Sequence, residues 1–239
     1  MILLLTGAGI SQESGIATFR DSNGLWEKEK VEDVATPEGF KRDPERVNRF
    51  YNGLRAHLLG GTVSPNPAHY ALAKLEAEAS EQIILVTQNI DNLHKRTGSK
   101  EVLHMHGELL KAYCPVCECP MYWDRDITHH DRCAVCGRVG TLRPHIVWFG
   151  EMPLCMEEIE SALRYCRLFV SIGTSSVVQP AAGFAARAKK NGTRIIELNL
   201  EKALPDDTVD EGYYGKASEI VPAWVESVLG TGARIGLHN

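Results

Sequence analysis

No stretch of this 239-residue chain is apolar for the roughly 18–20 residues that a membrane-spanning helix needs, so a helical membrane protein is not expected. The opening MILLLTGAGIS breaks off after four apolar residues beyond Met1 and has no basic region, so a secretory leader is not expected either. Basic residues are not in excess. With 26 Lys and Arg against 31 Asp and Glu, the net charge of −5 gives no global field that would draw nucleic acid or acidic lipid. A disulfide framework is missing too: four of the seven cysteines fall in two C-x-x-C pairs, which points to metal in a reducing compartment and a cytoplasmic location. Two further absences bear on chemistry. The glycines after the first apolar run lack the full G-x-G-x-x-G. No acidic residue closes a clear second strand about 20 residues after Gly7, where a dinucleotide dehydrogenase would hold a ribose.

What is present is an α/β rhythm. At 44% apolar and 24% charged residues the chain reads as soluble and globular, and its length suits one large core plus a smaller module. Short apolar runs at 2–5, 83–86, 168–172 and 194–198 read as buried strands of a parallel sheet. Helices are expected at about 31–60, 68–79, 157–166, 181–190 and 219–229, with 230–239 as a frayed tail. Thr36 before Pro37 and Asp43 before Pro44 read as helix N-caps. Each strand ends on polar or glycine residues, where an open parallel sheet binds its ligands. After the first come Gly7-Ala8-Gly9-Ile10-Ser11, whose glycines let the backbone meet a pyrophosphate. Phe19 and Arg20 follow, suited to covering a flat heterocycle and pairing with phosphate. After the second come Gln88, Asn89 and Asp91, and fifteen residues later His106 precedes Gly107. A neutral imidazole there can take a proton near pH 7. Gly173-Thr174-Ser175 and Asn199-Leu200-Glu201 close the other two strands.

Cys114-x-x-Cys117 and Cys133-x-x-Cys136, fifteen residues apart, have zinc-ribbon spacing, with Cys119 a spare thiol nearby. Four thiolates leave no position for water, so the zinc is expected to be structural. Between 107 and 150 the five basic and five acidic residues cancel, so the ribbon does not read as a nucleic-acid surface. The segment 143–151, RPHIVWFGE, reads as an extended apolar stretch that lines a tunnel, offers an edge to a peptide, or is simply a core strand.

The sequence of motifs (GAGIS, SGI, FR, TQNID, HMHG, two C-x-x-C pairs, WFGE, GTS and NLE) resembles the sirtuin family, the NAD-dependent protein lysine deacylases, from the N-terminus to about residue 225. The resemblance implies a Rossmann-like domain (1–30, 66–106 and 151–239) and a smaller domain made of a helical insertion (31–65) and a zinc-ribbon and substrate segment (107–150). It implies NAD as co-substrate and one structural zinc on Cys114, Cys117, Cys133 and Cys136. The NAD site would comprise Gly7, Ala8, Gly9, Ile10, Ser11, Phe19, Arg20, Trp26, Gln88, Asn89, Ile90, Asp91, Gly173, Thr174, Ser175, Asn199, Leu200, Glu201 and Ala217. His106 and Asn89 would be catalytic and His104 structural. Ala35, Tyr51, Val147 and Phe149 would surround the acyl-lysine, and a Gly150-Glu151 strand would pair with the substrate backbone. The implied partners are acyl-lysine proteins or peptides, met by a monomer. Relatives that remove succinyl groups carry Tyr-x-x-Arg; here Tyr51 is followed by Leu54, and Arg55 comes one position later. Arg55 reads either as a substitute at the pocket rim or as a solvated charge.

Three other readings stand beside this one: a dehydrogenase, a non-catalytic zinc-ribbon binding module, and an ADP-ribosyltransferase on the same fold. The first lacks the ribose-binding acid, and the second leaves the polar strand ends and His106 without a role.

Overall fold

The computed structural model describes residues 1–17 and 29–230. Phe19, Arg20, Trp26 and the tail at 231–239 lie outside these residues. In chain order the elements are β1 (Ile2–Thr6), α1 (Gly9–Gln12), α2 (Val31–Val34), α3 (Pro37–Arg42), α4 (Pro44–Leu59), α5 (Pro67–Glu78), β2 (Ile83–Thr87), α6 (Leu93–Arg96), β3 (Val102–His104), β4 (Gly107–Cys114) and β5 (Cys119–Tyr122). They continue with β6 (Arg143–Ile146), α7 (Met156–Tyr165), β7 (Leu168–Ile172), α8 (Phe184–Lys190), β8 (Arg194–Asn199), β9 (Glu211–Tyr214) and α9 (Ala217–Leu229).

Six strands form one parallel sheet in the order β3-β2-β1-β7-β8-β9. β1 is apolar at consecutive positions because both faces are covered. Ile2 and Leu4 pack with Leu72 and Leu75 of α5 and Val221 and Trp224 of α9. Leu3 and Leu5 pack on the other face with Ile159 and Leu163 of α7 and Phe184 and Ala188 of α8. The register aligns Thr6 with Thr87 and Ile172, Thr87 with His104, and Ile172 with Leu198. All these strand ends therefore share one edge, and the order reverses beside β1, which puts a crevice at that edge.

The 31–60 stretch forms three helices. Thr36 and Asp43 cap as expected, accepting from Gly39 N and Arg46 N. Their apolar faces, the paired strands β4 and β6 and the segment after β6 share a core of Val34, Ala35, Val47, Phe50, Tyr51, Leu109, Leu110, Ile146 and Trp148. A smaller core of Ala112, Trp123, Ile127 and Leu142 surrounds Cys114 and Cys133. β3 and β9 have no counterpart in the sequence reading, because Val102–His104 has only three residues and Glu211–Tyr214 lacks an apolar run. The expected strand at 150–151 is not formed. β6 ends at Ile146, and Glu151 N donates to Trp148 O in a turn that Gly150 makes with φ +93°.

Candidate functional site

At the sheet edge the loops after β1 and β7 touch backbone to backbone. A Cβ on Gly7 would stand 2.7 Å from Gly173 O, and one on Gly9 would stand 2.8 Å from Gly173 Cα. Gly173 itself has φ +59°, and its Cβ would meet Ile10 N at 2.5 Å. No side chain larger than hydrogen fits these three positions without displacing backbone. Gly7, Gly9, Ile10 and Ser11 already donate their amides to Ile172 O, Gly173 O, Gly7 O and Ala8 O. The spare amide of this loop among the described residues is that of Ala8. Ile10 is a core residue, buried against the sheet, so only its backbone faces the loop.

Behind the glycines lies a buried polar network. Asn89 Nδ2 donates to Gly7 O and to Ser11 Oγ, both at 3.0 Å. Ser11 Oγ donates to Asp91 Oδ2 at 2.9 Å, and Asp91 Oδ1 accepts Leu93 N at 2.9 Å. Burial pushes the Asp91 carboxyl up, against the pull of the Leu93 and Ser11 hydrogen bonds. Gln88 Nε2 donates to Thr174 Oγ1 at 3.1 Å, and Asn199 Nδ2 donates to Thr174 O at 2.9 Å, so Thr174 ties three strand ends together. Ser175, Leu200 and Glu201 are exposed on the same rim, and Ala217 is half-buried at the start of α9. Ile90 packs toward the insertion core, and its carbonyl accepts Leu109 N.

His106 lies across this crevice. Its Nδ1 donates to Gln88 O at 3.0 Å, which leaves Nε2 as the lone-pair nitrogen. Burial moves its pKa below 6.5, opposed by that hydrogen bond, so the ring is neutral at pH 7. Gly107, at φ +85°, is required here, since a Cβ would lie 2.1 Å from His145 O. His104 is buried with Nδ1 3.3 Å from Asn89 O, a supporting position. The segment after β6 forms the facing wall. Val147 N donates to His106 O at 3.0 Å, and Phe149 N donates to Ala35 O at 2.9 Å. Phe149 remains half exposed, at 50%.

Tyr51 is buried, and its hydroxyl accepts from Trp148 Nε1 at 3.0 Å. Arg55 takes neither role expected of it. It is only 1% exposed, and it donates through Nε to Leu109 O at 3.0 Å and through Nη1 to Asn52 Oδ1 at 2.8 Å. Burial lowers its pKa to about 10. The Asn52 amide in turn brackets the Ile127 backbone, accepting its N–H at 2.9 Å and donating to its carbonyl at 3.1 Å. The pair thus fastens α4 to the ribbon, and Arg55 does not take the place of the arginine missing at Leu54.

The four cysteines converge. Their sulfurs all lie within 4.8 Å of one another, with Cys114 to Cys136 at 3.7 Å and Cys117 to Cys133 at 3.6 Å. Thiolates about 2.3 Å from a tetrahedral zinc stand about 3.8 Å apart, so the tetrad fits that ion. Cys119 is excluded: its Sγ donates to Cys117 O at 3.2 Å.

Several contributors gave no sequence signal. His69 packs 4.9 Å from His94, ring to ring, and places Nε2 3.5 Å from Ser11 Oγ, while His94 Nε2 lies 3.1 Å from Thr6 Oγ1. The capping motif of Asn66 with His69 was the available clue. Arg143 begins β6 as a strand residue, and its guanidinium pairs with Glu151. A separate groove of about 540 Å³, between α4 and residues 126–130, lies away from this edge.

The chain matches the Sir2 family over residues 7–180. It is 59% identical over 231 residues to the NAD-dependent protein deacylase SIR2rp3 of Leishmania major, covering 95% of each chain. It is 54% identical over 233 residues to an NAD-dependent protein deacylase of Vibrio cholerae, covering 98% of this chain and 95% of the other. The solved structure of a Sir2 homolog–NAD complex superposes with a TM-score of 0.85 at 36% identity, covering 95% of this chain and 88% of that one.

Proposed function

Because the chain belongs to the Sir2 family, we infer that the crevice between the sheet edge and the 147–149 wall is where acyl-lysine and NAD react. The protein is an NAD-dependent protein lysine deacylase with NAD as co-substrate and one structural zinc. The observation that carries the site assignment is His106. It is neutral and fixed through Nδ1, and it lies on the same edge as the Asn89–Ser11–Asp91 network.

When bound, NAD supplies an electrophilic ribose carbon with nicotinamide as its leaving group. The fit is supported by three glycines where any Cβ would collide and by polar groups at every neighbouring strand end. In this reading Gly7–Ser11 and Gly173–Ser175 face the phosphates. Asn89, Asp91 and Gln88 face the nicotinamide ribose, and Asn199, Leu200, Glu201 and Ala217 face the adenosine end. Val147 and Phe149 flank the acyl-lysine, whose amide oxygen is a weak nucleophile and reacts only when held close and dry. His106 Nε2 takes the proton from a ribose hydroxyl. Gly150 and Glu151 offer the turn beside the substrate backbone.

The same reading assigns 31–65 and 107–150 to the smaller domain, supported by their shared core. It makes the protein a monomer acting on acylated proteins or peptides without nucleic acid. The thiol tetrad supports a reducing, cytoplasmic setting. Among the described residues no helix is long and apolar enough to cross a membrane. Acetyl is the preferred acyl group and succinyl a poor one, because Leu54 offers no charge and Arg55 is committed to Leu109 O.

The test is mass spectrometry of acetyl-, succinyl- and longer acyl-lysine peptides incubated with enzyme and NAD. Free lysine, nicotinamide and O-acyl-ADP-ribose are expected. Peptides that instead gain ADP-ribose, or a change in reduced-cofactor absorbance, would overturn the assignment.

A further inference from the structure

Glu197 is a carboxylate with no part in the chemistry above. It is fully buried on β8, two residues before Asn199 at the rim. Ile196 and Leu198 join the core under α9, while Ile195 joins the core under α7 and α8, so strand alternation puts Glu197 on that second face. The chain after β8 folds back over the same face, where Leu204 enters the core. Two consecutive amides of this returning segment, Ala203 N and Leu204 N, both donate to Glu197 Oε1 at 3.0 Å. The other carboxylate oxygen accepts the Tyr214 hydroxyl at 3.1 Å. Gly212 makes that last bond possible: it pairs with Glu197 in register, and a Cβ there would stand 2.4 Å from Tyr214 Oη, so the ring passes directly over the glycine. All three partners are neutral. A carboxylate leaves water only when donors meet its oxygens, and here two of the donors belong to the backbone of the loop that carries Leu200 and Glu201. The near end of that loop is tied by Leu200 N to Asn199 Oδ1 at 3.0 Å, and the far end by Glu197.

We propose that Glu197 is a positioning residue for NAD: it pins the segment 200–204 against the sheet and so sets Leu200 and Glu201 where the adenosine end binds. This rests on the reading of that rim as the adenosine end of the NAD site.

The experiment titrates ADP-ribose into the zinc-loaded protein by calorimetry and measures nicotinamide release from NAD with an acetyl-lysine peptide. Glu197→Ala is expected to weaken ADP-ribose binding and raise the KM for NAD together, each about 10-fold, the scale of losing a pair of buried hydrogen bonds. kcat and the KM for peptide should stay within about two-fold, since the adenosine end is remote from the reacting carbon. Glu197→Gln should bind ADP-ribose within about three-fold of wild type, because its amide oxygen accepts both backbone N–H groups and its amide N–H donates to Tyr214. A lower melting temperature in Glu197→Ala with unchanged ADP-ribose affinity would make the residue merely structural and overturn the proposal. So would a loss that Gln does not rescue, or a KM for peptide that rises as much as that for NAD. The deacylase reading fails separately: a wild type that binds ADP-ribose but releases no nicotinamide refutes that reading, and the calorimetric comparison still decides the role of Glu197. A wild type that binds no ADP-ribose overturns both. If Glu197→Ala does not fold, Glu197→Asp, too short to reach both amides, carries the same measurements.

Discussion

The amide of Val147 donates to the carbonyl of His106 at 3.0 Å, so the proposed base and the wall that flanks the acyl-lysine are joined directly through their backbones. Neither can shift without the other. The base is thereby placed against substrate by the fold, with Gly107 giving the close approach to His145.

Replacing His106 with Ala should leave fold and NAD binding intact and reduce deacylation by about 10²-fold or more, the usual scale for a general base. Since burial holds its pKa below 6.5, the acid limb of kcat/KM should have its midpoint below that value. Activity should be lost as pH falls through it, because the protonated ring cannot accept. Normal turnover in a folded His106→Ala protein would remove His106 from the mechanism.

Zinc content distinguishes the cysteines. Cys133→Ala should lose the ion and expose the 107–146 region to proteolysis, since a folding-coupled site rarely survives on three thiolates. Cys119→Ala should keep one zinc per chain and wild-type melting, as its sulfur stands outside the tetrad and donates to Cys117 O. Metal analysis with limited proteolysis reads both.

Gly9→Ala should raise the KM for NAD at least about 10-fold and cost about 1–3 kcal/mol of stability, the usual penalty for forcing atoms into packed space. The added methyl meets Gly173 backbone at 2.8 Å, which no side-chain rotation relieves. Unaltered NAD kinetics and melting would contradict the glycine contact.

Acid should weaken the fold early. Burial lowers His69 and His104 to about 4 and His94 well below its ordinary value. The unfolded chain binds these protons near 6.5 and the native one does not. Stability is therefore full above about pH 6.5 and declines toward pH 4, by up to about 1.4 kcal/mol per pH unit for each histidine. Glu108, which Lys111 and Lys95 hold at about 2 against burial, adds nothing until below about pH 4.5. The urea midpoint should be lower at pH 5 than at pH 7, and His69→Gln should narrow the gap.

Leu54→Arg should raise kcat/KM for succinyl-lysine about 10-fold or more by supplying a charge-assisted partner, while acetyl-lysine changes only a few-fold. Arg55→Ala should instead lower stability by about 2–4 kcal/mol, since it strips Leu109 O and Asn52 of a buried partner. A selectivity change in Arg55→Ala without loss of stability would show that Arg55 recognises substrate after all.

Local rules carried much of the architecture into the sequence. The β-branched and leucine runs marked four strands of the parallel sheet, and Thr36 and Asp43 marked helix starts by side-chain capping. Cysteine spacing marked the tetrad, and the polar strand ends marked the crevice edge. Arg55 was illegible because its fate depends on a distant backbone group. Leu109 lies where the β4-β6 register shifts, between Gly107 and Ala112, and its carbonyl takes the guanidinium instead. No helical wheel reveals a bare carbonyl on another element. Arg143 was missed for a similar reason: its partners arise from the Gly150 turn, where an extended strand was expected. The His69–His94 pair needs α5 folded against α6 before either ring has a neighbour.

The place of β1 in the sheet also fixes an order in time. Its neighbours pair Ile2 with Ile83 and with Leu168, so the middle of the sheet cannot close until a ribosome has made residue 172. The hairpin and knuckles from Gly107 to Ile146 are contiguous and can close before that. The ribbon can then take up zinc while the Gly7–Gly9 loop still lacks its Gly173 neighbour. Synthesis under zinc starvation should accordingly leave the 107–146 region open, a local fault that metal added afterwards repairs without waiting for long-range strand pairing.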